Sequence, residues 1–316
     1  MAVNIFQYAQ IFQQELDKQL VAQSTTGWME GNTTGLIYNG GNTVKVPKID
    51  MDGLGNYSRS NGFVAGSSTL TYETLTLSQD RGRTFSIDSM DVDETNFVAS
   101  ASNIMGEFQR TKVIPEIDAY RYSKIASLAI AASKASGGYT PGVADIYTKL
   151  RADIATVQDV IGADTPLVIT MSIATLNTLE QSTEMQRFIR MGAADGLTGN
   201  GFTGDVNTEF KSIDGIPIIE VPSARLKTAY TFNDGSTAGQ TAGGFVPAGT
   251  AKTINWIISA QNAPIAVSKT DNIRIFSPQQ NILADAYKID YRKYHDLWIE
   301  DNKMSSVFVN CKEALV

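Results

Sequence analysis

The sequence predicts an α+β chain with more than one structural unit, and three observations carry that expectation. Residues 27–90 are rich in Gly, Asn, Ser and Thr and hold two β-type runs. Residues 94–135 hold the strongest helical pattern. From Pro141 onward, short apolar strands alternate with helical stripes. At 316 residues the chain is long enough for roughly two domains, and its 42% hydrophobic content is that of an ordinary globular protein.

The first element expected is an amphipathic helix over 5–20. Ile5, Ala9, Phe12, Leu16 and Leu20 recur at spacings of 4, 3, 4 and 4, with Gln between them. Such a helix docks either on its own domain or, as an arm, on a neighbouring subunit. A long hairpin comes next. Its strands are Thr43–Asp50 and Ser68–Leu77, and the polar, Gly-rich segment Met51–Ser67 joins them as a flexible tip. Leu70, Tyr72, Thr74 and Thr76 share one face of the second strand, while Glu73, Leu75 and Leu77 share the other, so neither is a clear core face. A lone two-stranded hairpin is marginal in water. It needs a cover, either from the chain's own second domain or from another copy.

The helical stripe over 94–135 runs through Phe97, Ala101, Ile104 and Phe108 and resumes at Ile125, Leu128, Ala129 and Ala132. Asp91, Asp93 and Glu94 suit its positive N-terminal end, and Gly137–Gly138 is expected to close it. Pro115 interrupts the middle, with Glu116 and Asp118 just after it. That pattern fits either a new helix with Pro at its first position or a kink. A continuous helix of about 40 residues spans roughly 60 Å, against a diameter near ~50 Å for a compact chain of this length. A continuous helix therefore makes the molecule elongated or flat, and a flat subunit hides its edges against partners.

Beyond Pro141, a helix is expected over Val143–Ile161, with Ile146, Leu150, Ile154, Val157 and Ile161 on one stripe. Pro166–Met171 reads as a buried strand, Ser172–Ser182 and Thr183–Met191 as short helices, and Gly192–Gly204 as a loop. Ile216–Val221 is a further strand, and residues 233–252, almost uncharged, read as an exposed loop. Thr253–Ser259, Pro264–Ser268, Ile273–Ser277, Ile282–Ile299 and Ser306–Cys311 complete the strand-like runs.

Chemistry-bearing patterns are scarce. Lys plus Arg number 26 and Asp plus Glu 33, a net charge of −7, which argues against a chain that coats nucleic acid by neutralising phosphates. A single Cys and a single His exclude an internal disulfide framework, cysteine-rich zinc sites and multi-His metal cages. Neither a charged n-region ahead of an apolar stretch nor an apolar run of membrane-spanning length is present. Gly199, Gly201 and Gly204 form a formal dinucleotide fingerprint, but GAADGLT precedes it and DVNTEFK follows it, neither of which fits the required strand and helix. His295 lies in the alternating run YRKYHDLW with no nucleophile-elbow serine elsewhere, so it reads as a strand residue. Asp50, Asp52 and Gly53 resemble the start of a calcium loop whose later ligands are missing. Asn32 and Asn56 begin glycosylation-type triplets that read as chance without a secretion signal, and Cys311 reads as a small buried hydrophobe. No catalytic, cofactor or metal site is expected.

Taken in order, these segments resemble a tailed-bacteriophage major capsid protein, a fold shared with encapsulin shells. The resemblance covers nearly the whole chain. Its most specific piece is VIPEIDAYRYSKIA, within Asn103–Ala126; LVITMSIATLNTLEQS, IDGIPIIEVPSARL and ILADAYKIDYRKYHDLWIEDNKMSSVFV carry the rest. It implies the phage major-capsid fold: an N-terminal arm (1–40), an extended E-loop hairpin (41–82), a peripheral domain with a spine helix (83–140), an axial domain (141–265) and closing strands of the peripheral domain (266–316). It also implies a structural protein, not an enzyme, that forms pentamers and hexamers and then an icosahedral shell around double-stranded DNA. That DNA is enclosed without sequence-specific binding. The shell would assemble in the host cytoplasm and reside in the virion, with no membrane contact.

The spine stripe begins near residue 95, which leaves no room ahead of it for the long scaffolding segment of many relatives. Scaffolding is then either a separate protein or not used, and separate scaffolding, portal and decoration proteins are the implied partners. Some relatives crosslink subunits through an E-loop Lys, but Lys45 and Lys48 lie on the first hairpin strand rather than at the tip, where Arg59 sits, so the sequence gives no basis for a crosslink. Lys45, Lys48, Arg59, Tyr72, Glu73, Arg81 and Arg83 are the expected inter-subunit contacts. Arg81 and Arg83, at the hairpin base, face either a neighbour's carboxylates or partners within the chain. Two alternatives stand beside this reading: an encapsulin-like nanocompartment shell and, in a different class, a soluble α/β enzyme with an unrecognised site.

Overall fold

The structure is a computed structural model, and it describes residues 24–35, 43–60, 62–88, 101–184, 212–281 and 284–315. The helix expected over 5–20, the acidic start at Asp91–Glu94, the glycines at 199, 201 and 204, and most of the short helix expected at Thr183–Met191 lie outside the described residues.

The alternating Thr/Val/Ile pattern forms the expected hairpin. β1 (Thr43–Met51) pairs antiparallel with β2 (Ser68–Thr76), in register from Thr43↔Thr76 to Met51↔Ser68. Pro47, opposite Tyr72, carries no N–H. A two-stranded ribbon tolerates this because each strand has one side without a partner. Two residues after β2, the chain enters β3 (Gln79–Asp88), which leaves the ribbon and joins a second sheet.

That sheet runs in the order β11 (Pro264–Phe276), β12 (Ala286–Ile299), β3, all antiparallel. The two strands expected at Pro264–Ser268 and Ile273–Ser277 are one strand. A register shift between Ser268 and Thr270 absorbs the extra residue, so the polar stretch between them marks a bulge rather than a turn.

The spine is helical throughout 101–131: α1 (Ala101–Phe108), a π turn (Gln109–Val113) and α2 (Ile114–Ala131). Pro115 neither starts a separate helix nor breaks this one. The backbone stays α-like at Phe108, Val113 and Ile114, and the Ile114 N–H reaches back to Gln109 O. The wider π turn accommodates a proline ring that clashes with the carbonyl four residues back in a regular helix. At 1.5 Å per residue this run is about 46 Å long. It ends before the expected Gly137–Gly138. Ser133 takes a positive φ of 57°, its N–H reaches Ile130 O at 3.0 Å, and the Lys134 N–H reaches Ala129 O at 2.8 Å. This glycine-type helix end is built on a serine.

A six-stranded mixed sheet holds the largest core. Its order is β4 (Ala135–Ser136), β13 (Val307–Cys311), β10 (Ile254–Ala260), β5 (Leu167–Ser172), β7 (Ile216–Val221), β6 (Ser212–Ile213). β13 pairs antiparallel with β10 in this sheet. α3 (Ile146–Ile161) packs Ile146, Leu150, Ile154 and Val157 into the same core as α2 and the sheet. Ser172 caps α4 (Ile173–Glu180), its Oγ accepting from the Thr175 N–H at 3.1 Å. Asp153, buried on α3, accepts hydrogen bonds from Lys149 Nζ, Trp256 Nε1 and Asn310 Nδ2, which ties the helix to β10 and β13. Cys311 is fully buried in this core, and burial pushes its thiol up to about 11.

A smaller core packs Ile87, Ile289 and Tyr291 of the three-stranded sheet against Met105, Val113, Ile114 and Ile117 of the spine. The run over 233–252, expected as an exposed loop, contains β9 (Phe245–Pro247), which pairs with β8 (Tyr230–Phe232). Its small residues let it lie against β3, with Gly235 and Gly243 beside the Arg83 guanidinium.

Candidate assembly interface

The β1–β2 hairpin is anchored at one end and bare at the other. At its root, Val44, Leu75 and Leu77 are buried against Ile265, Val267 and Trp298. The Trp298 indole donates to Thr76 O at 3.4 Å and the Tyr294 hydroxyl to Leu77 O at 3.0 Å. Beyond the root the pattern inverts. Of the twelve large apolar side chains that are exposed among the described residues, eight lie on this hairpin: Ile49, Met51, Leu54, Tyr57, Phe63, Val64, Leu70 and Tyr72. Phe63 is 90% exposed and Leu54 fully so. Large exposed apolar side chains concentrated on one element mark a contact site.

The tip is built rather than slack. Asp52 Oδ2 accepts from the Ser67 N–H at 2.7 Å and from the Ser67 hydroxyl at 3.0 Å. The backbone bond between them holds the Asp52 carboxyl below its usual range. Tyr57 and Phe63 meet with ring centroids 4.9 Å apart. Asp52 closes the tip through these bonds to Ser67. Among the described residues, no three His, Cys, Asp or Glu side chains group together to hold a metal, and no helix is long and apolar enough to cross a membrane.

The sequence-predicted contact residues separate into two sets. Lys45, Arg59 and Tyr72 stand on the exposed part of the hairpin. The others have partners in their own chain. Lys48 Nζ lies 3.2 Å from Asp301 Oδ2, and Glu73 accepts from the Asp301 N–H at 3.2 Å. Desolvation raises the Glu73 carboxyl above its usual value. Arg81 pairs with Glu116 of the spine, donates to Asn233 O and Gly244 O, and lies over the Phe232 ring. Arg83 donates to Thr241 O.

The residues that hold the hairpin root to the spine are ones sequence reasoning passed over. Tyr120 and Ser78 both donate to the buried Asp296. One turn of the spine holds the segment Ser24–Gly35. The fully buried Asp118 accepts from the hydroxyls of Ser24, Thr25 and Thr26 and lies 3.0 Å from Arg225. Arg121, 1% exposed, bonds Thr26 and Glu30. The available signal was an acid and a base, Asp118 and Arg121, inside an otherwise enclosed helix.

No protein-family model matches the chain, and no curated protein matches it. Solved structures do. The capsid of cyanophage P-SCSP1u superposes with a TM-score of 0.60 at 10% identity, covering 86% of this chain and 83% of that one. The mature capsid of bacteriophage PhiM1 gives 0.59 at 10% identity, covering 87% and 83%. A structure from Mycobacterium phage Che8 gives 0.56 at 13% identity, covering 85% and 84%. The chain has the phage capsid fold. The string VIPEIDAYRYSKIA, which carries the resemblance in sequence, supplies this capsid fold with Asp118, Tyr120 and Arg121, the side chains that bind the spine to the segment before the hairpin and to the closing strand.

Proposed function

We propose that the chain is the major capsid subunit of a tailed bacteriophage. It assembles through hexamers and pentamers into an icosahedral shell that encloses double-stranded DNA. The observation that carries this reading is the pairing of the capsid fold with a firmly rooted hairpin whose outer part exposes eight large apolar side chains. In this reading, residues 1–40 are the arm, the hairpin is the E-loop, 141–265 is the axial domain, and the spine with its sheet forms the peripheral part. The hairpin lays Tyr72, Phe63 and their neighbours on an adjacent copy, with Lys45 and Arg59 at the edge of the contact. Burying a few hundred Å² per hairpin is modest, but closed rings repeat it at every subunit and leave no free edge. A net charge of −7 keeps the wall from adhering to the packaged DNA. Scaffolding, portal and decoration proteins are separate chains in this scheme, and the shell forms in the host cytoplasm.

Sedimentation velocity and negative-stain microscopy of the untagged chain test the proposal. Rings or closed shells are expected. A 34.2 kDa monomer at every concentration, with or without crowding agent, would overturn unaided self-assembly and leave only assembly on a separate scaffold. Shells filled with a protein cargo would move the assignment to a nanocompartment.

A further inference from the structure

We propose that His295 is a proton-operated release at the root of the hairpin, loosening the start of β3 from β12 when the imidazole becomes charged. The inference concerns a single chain and stands whatever the hairpin meets.

The only histidine in the sequence sits in β12 and is 4% exposed. Its Nδ1 has no protein hydrogen-bond partner among the described residues. Its ring meets Tyr120 of the spine edge-on, with centroids 5.5 Å apart at 89°. In the sheet it stands opposite Gln79, the first residue of β3, on one side and Ser268, at the β11 bulge, on the other. The imidazole therefore lies where the spine, the hairpin exit and the closing sheet converge.

Among the described residues, the charged groups that act on it are cations: Arg121 from α2, Lys293 from β12 and Arg81 from β3. Each is already matched to an acid. Arg121 pairs with Glu30 at 2.5 Å, Lys293 with Asp271 at 2.7 Å, and Arg81 with Glu116. Asp296, next along β12, is engaged by the Ser78 N–H and hydroxyl, the Tyr120 hydroxyl and the Leu297 N–H. Burial raises the Tyr120 phenol, which stays neutral. Among the described residues no nearby carboxylate is left for an imidazolium, and burial together with the three cations holds His295 well below its usual value of 6.5.

A protonated His295 is a buried, unpaired cation. Parting the first residues of β3 from β12 admits water to the ring while Phe85 and Ile87, further along β3, remain packed on the spine side of the sheet. Above pH 6.5 both the closed and open forms are neutral, and the group has no effect. Below it the open form binds a proton that the closed form does not, so opening grows as pH falls.

Hydrogen exchange of the full chain between pH 7.5 and 5, corrected for intrinsic exchange, tests this. Protection over 76–81 is expected to fall by up to about tenfold per pH unit below 6.5, while protection over 167–172 holds. His295→Phe keeps the ring against Tyr120 and removes the proton site, so its protection over 76–81 should stay level. If that variant does not fold, the single imidazole resonance of the wild-type chain decides the matter. An imidazole that titrates normally near 6.5 with protection over 76–81 unchanged overturns the proposal, as does parallel loss of protection in His295→Phe.

Discussion

The hydroxyl of Tyr120 donates to Asp296 Oδ1 at 2.6 Å, joining the middle of the spine to a strand 176 residues further along the chain. The acceptor is a fully buried carboxylate that also holds Ser78, the residue between β2 and β3. Tyr120→Phe keeps the ring and removes one bond to a buried charge, so a loss of about 1.5–3 kcal/mol is expected in urea unfolding of the unassembled chain.

Asp118 has a larger role. Asp118→Asn places an amide donor among three hydroxyl donors and leaves Arg225 without its acid. A loss of about 3 kcal/mol or more is expected, with proteolysis in the Ser24–Gly35 segment appearing before the core is cut.

A backbone approach in the second sheet gives a third expectation. Gly82 pairs opposite Arg292, and a Cβ there would stand 2.7 Å from the carbonyl of Tyr291. Gly82→Ala therefore has to push β3 off β12, and a loss of about 1–3 kcal/mol in thermal or urea unfolding is expected.

Substitutions at the hairpin tip should separate folding from assembly. Leu54 and Phe63 touch little of their own chain beyond the Tyr57–Phe63 pair. Leu54→Asp with Phe63→Asp should change stability by no more than roughly 0.5 kcal/mol per site. Sedimentation should nevertheless show the loss of rings and shells.

Global stability should carry the signature of His295. The unfolded chain binds a proton near pH 6.5 and the folded chain only well below that, so this group lowers stability as pH falls through 6.5. Its contribution to the slope approaches about 1.4 kcal/mol per pH unit. The His295→Phe variant should lack that component of the pH profile measured by urea unfolding.

Elements set by local periodicity were legible in the sequence. The hairpin strands, α3, β5, β7 and β10 fall within a few residues of their expected limits, because alternation and 3.6-residue stripes are local signals. Features decided by distant contacts were not. Nothing near Pro115 announces that a π turn keeps the helix whole, and nothing in Val307–Cys311 says that it pairs with β10. The exposed apolar side of the hairpin was half visible, as two mixed faces with no clear core. The anchoring side chains were hidden because Asp118, Arg121 and Asp296 look like surface charges until the tertiary fold encloses them.

The hairpin's anchors, Ile265, Val267, Trp298 and Asp301, come roughly 190 to 225 residues after it in the chain. At about 5–20 residues per second of synthesis, a nascent hairpin waits on the order of 10–40 s between emerging from the ribosome and gaining its root. Throughout that interval its apolar side is on offer to every neighbouring nascent chain on the same message. A chaperone that covers residues 43–76 during translation is therefore expected to raise the yield of assembly-competent subunits more than one that acts after release.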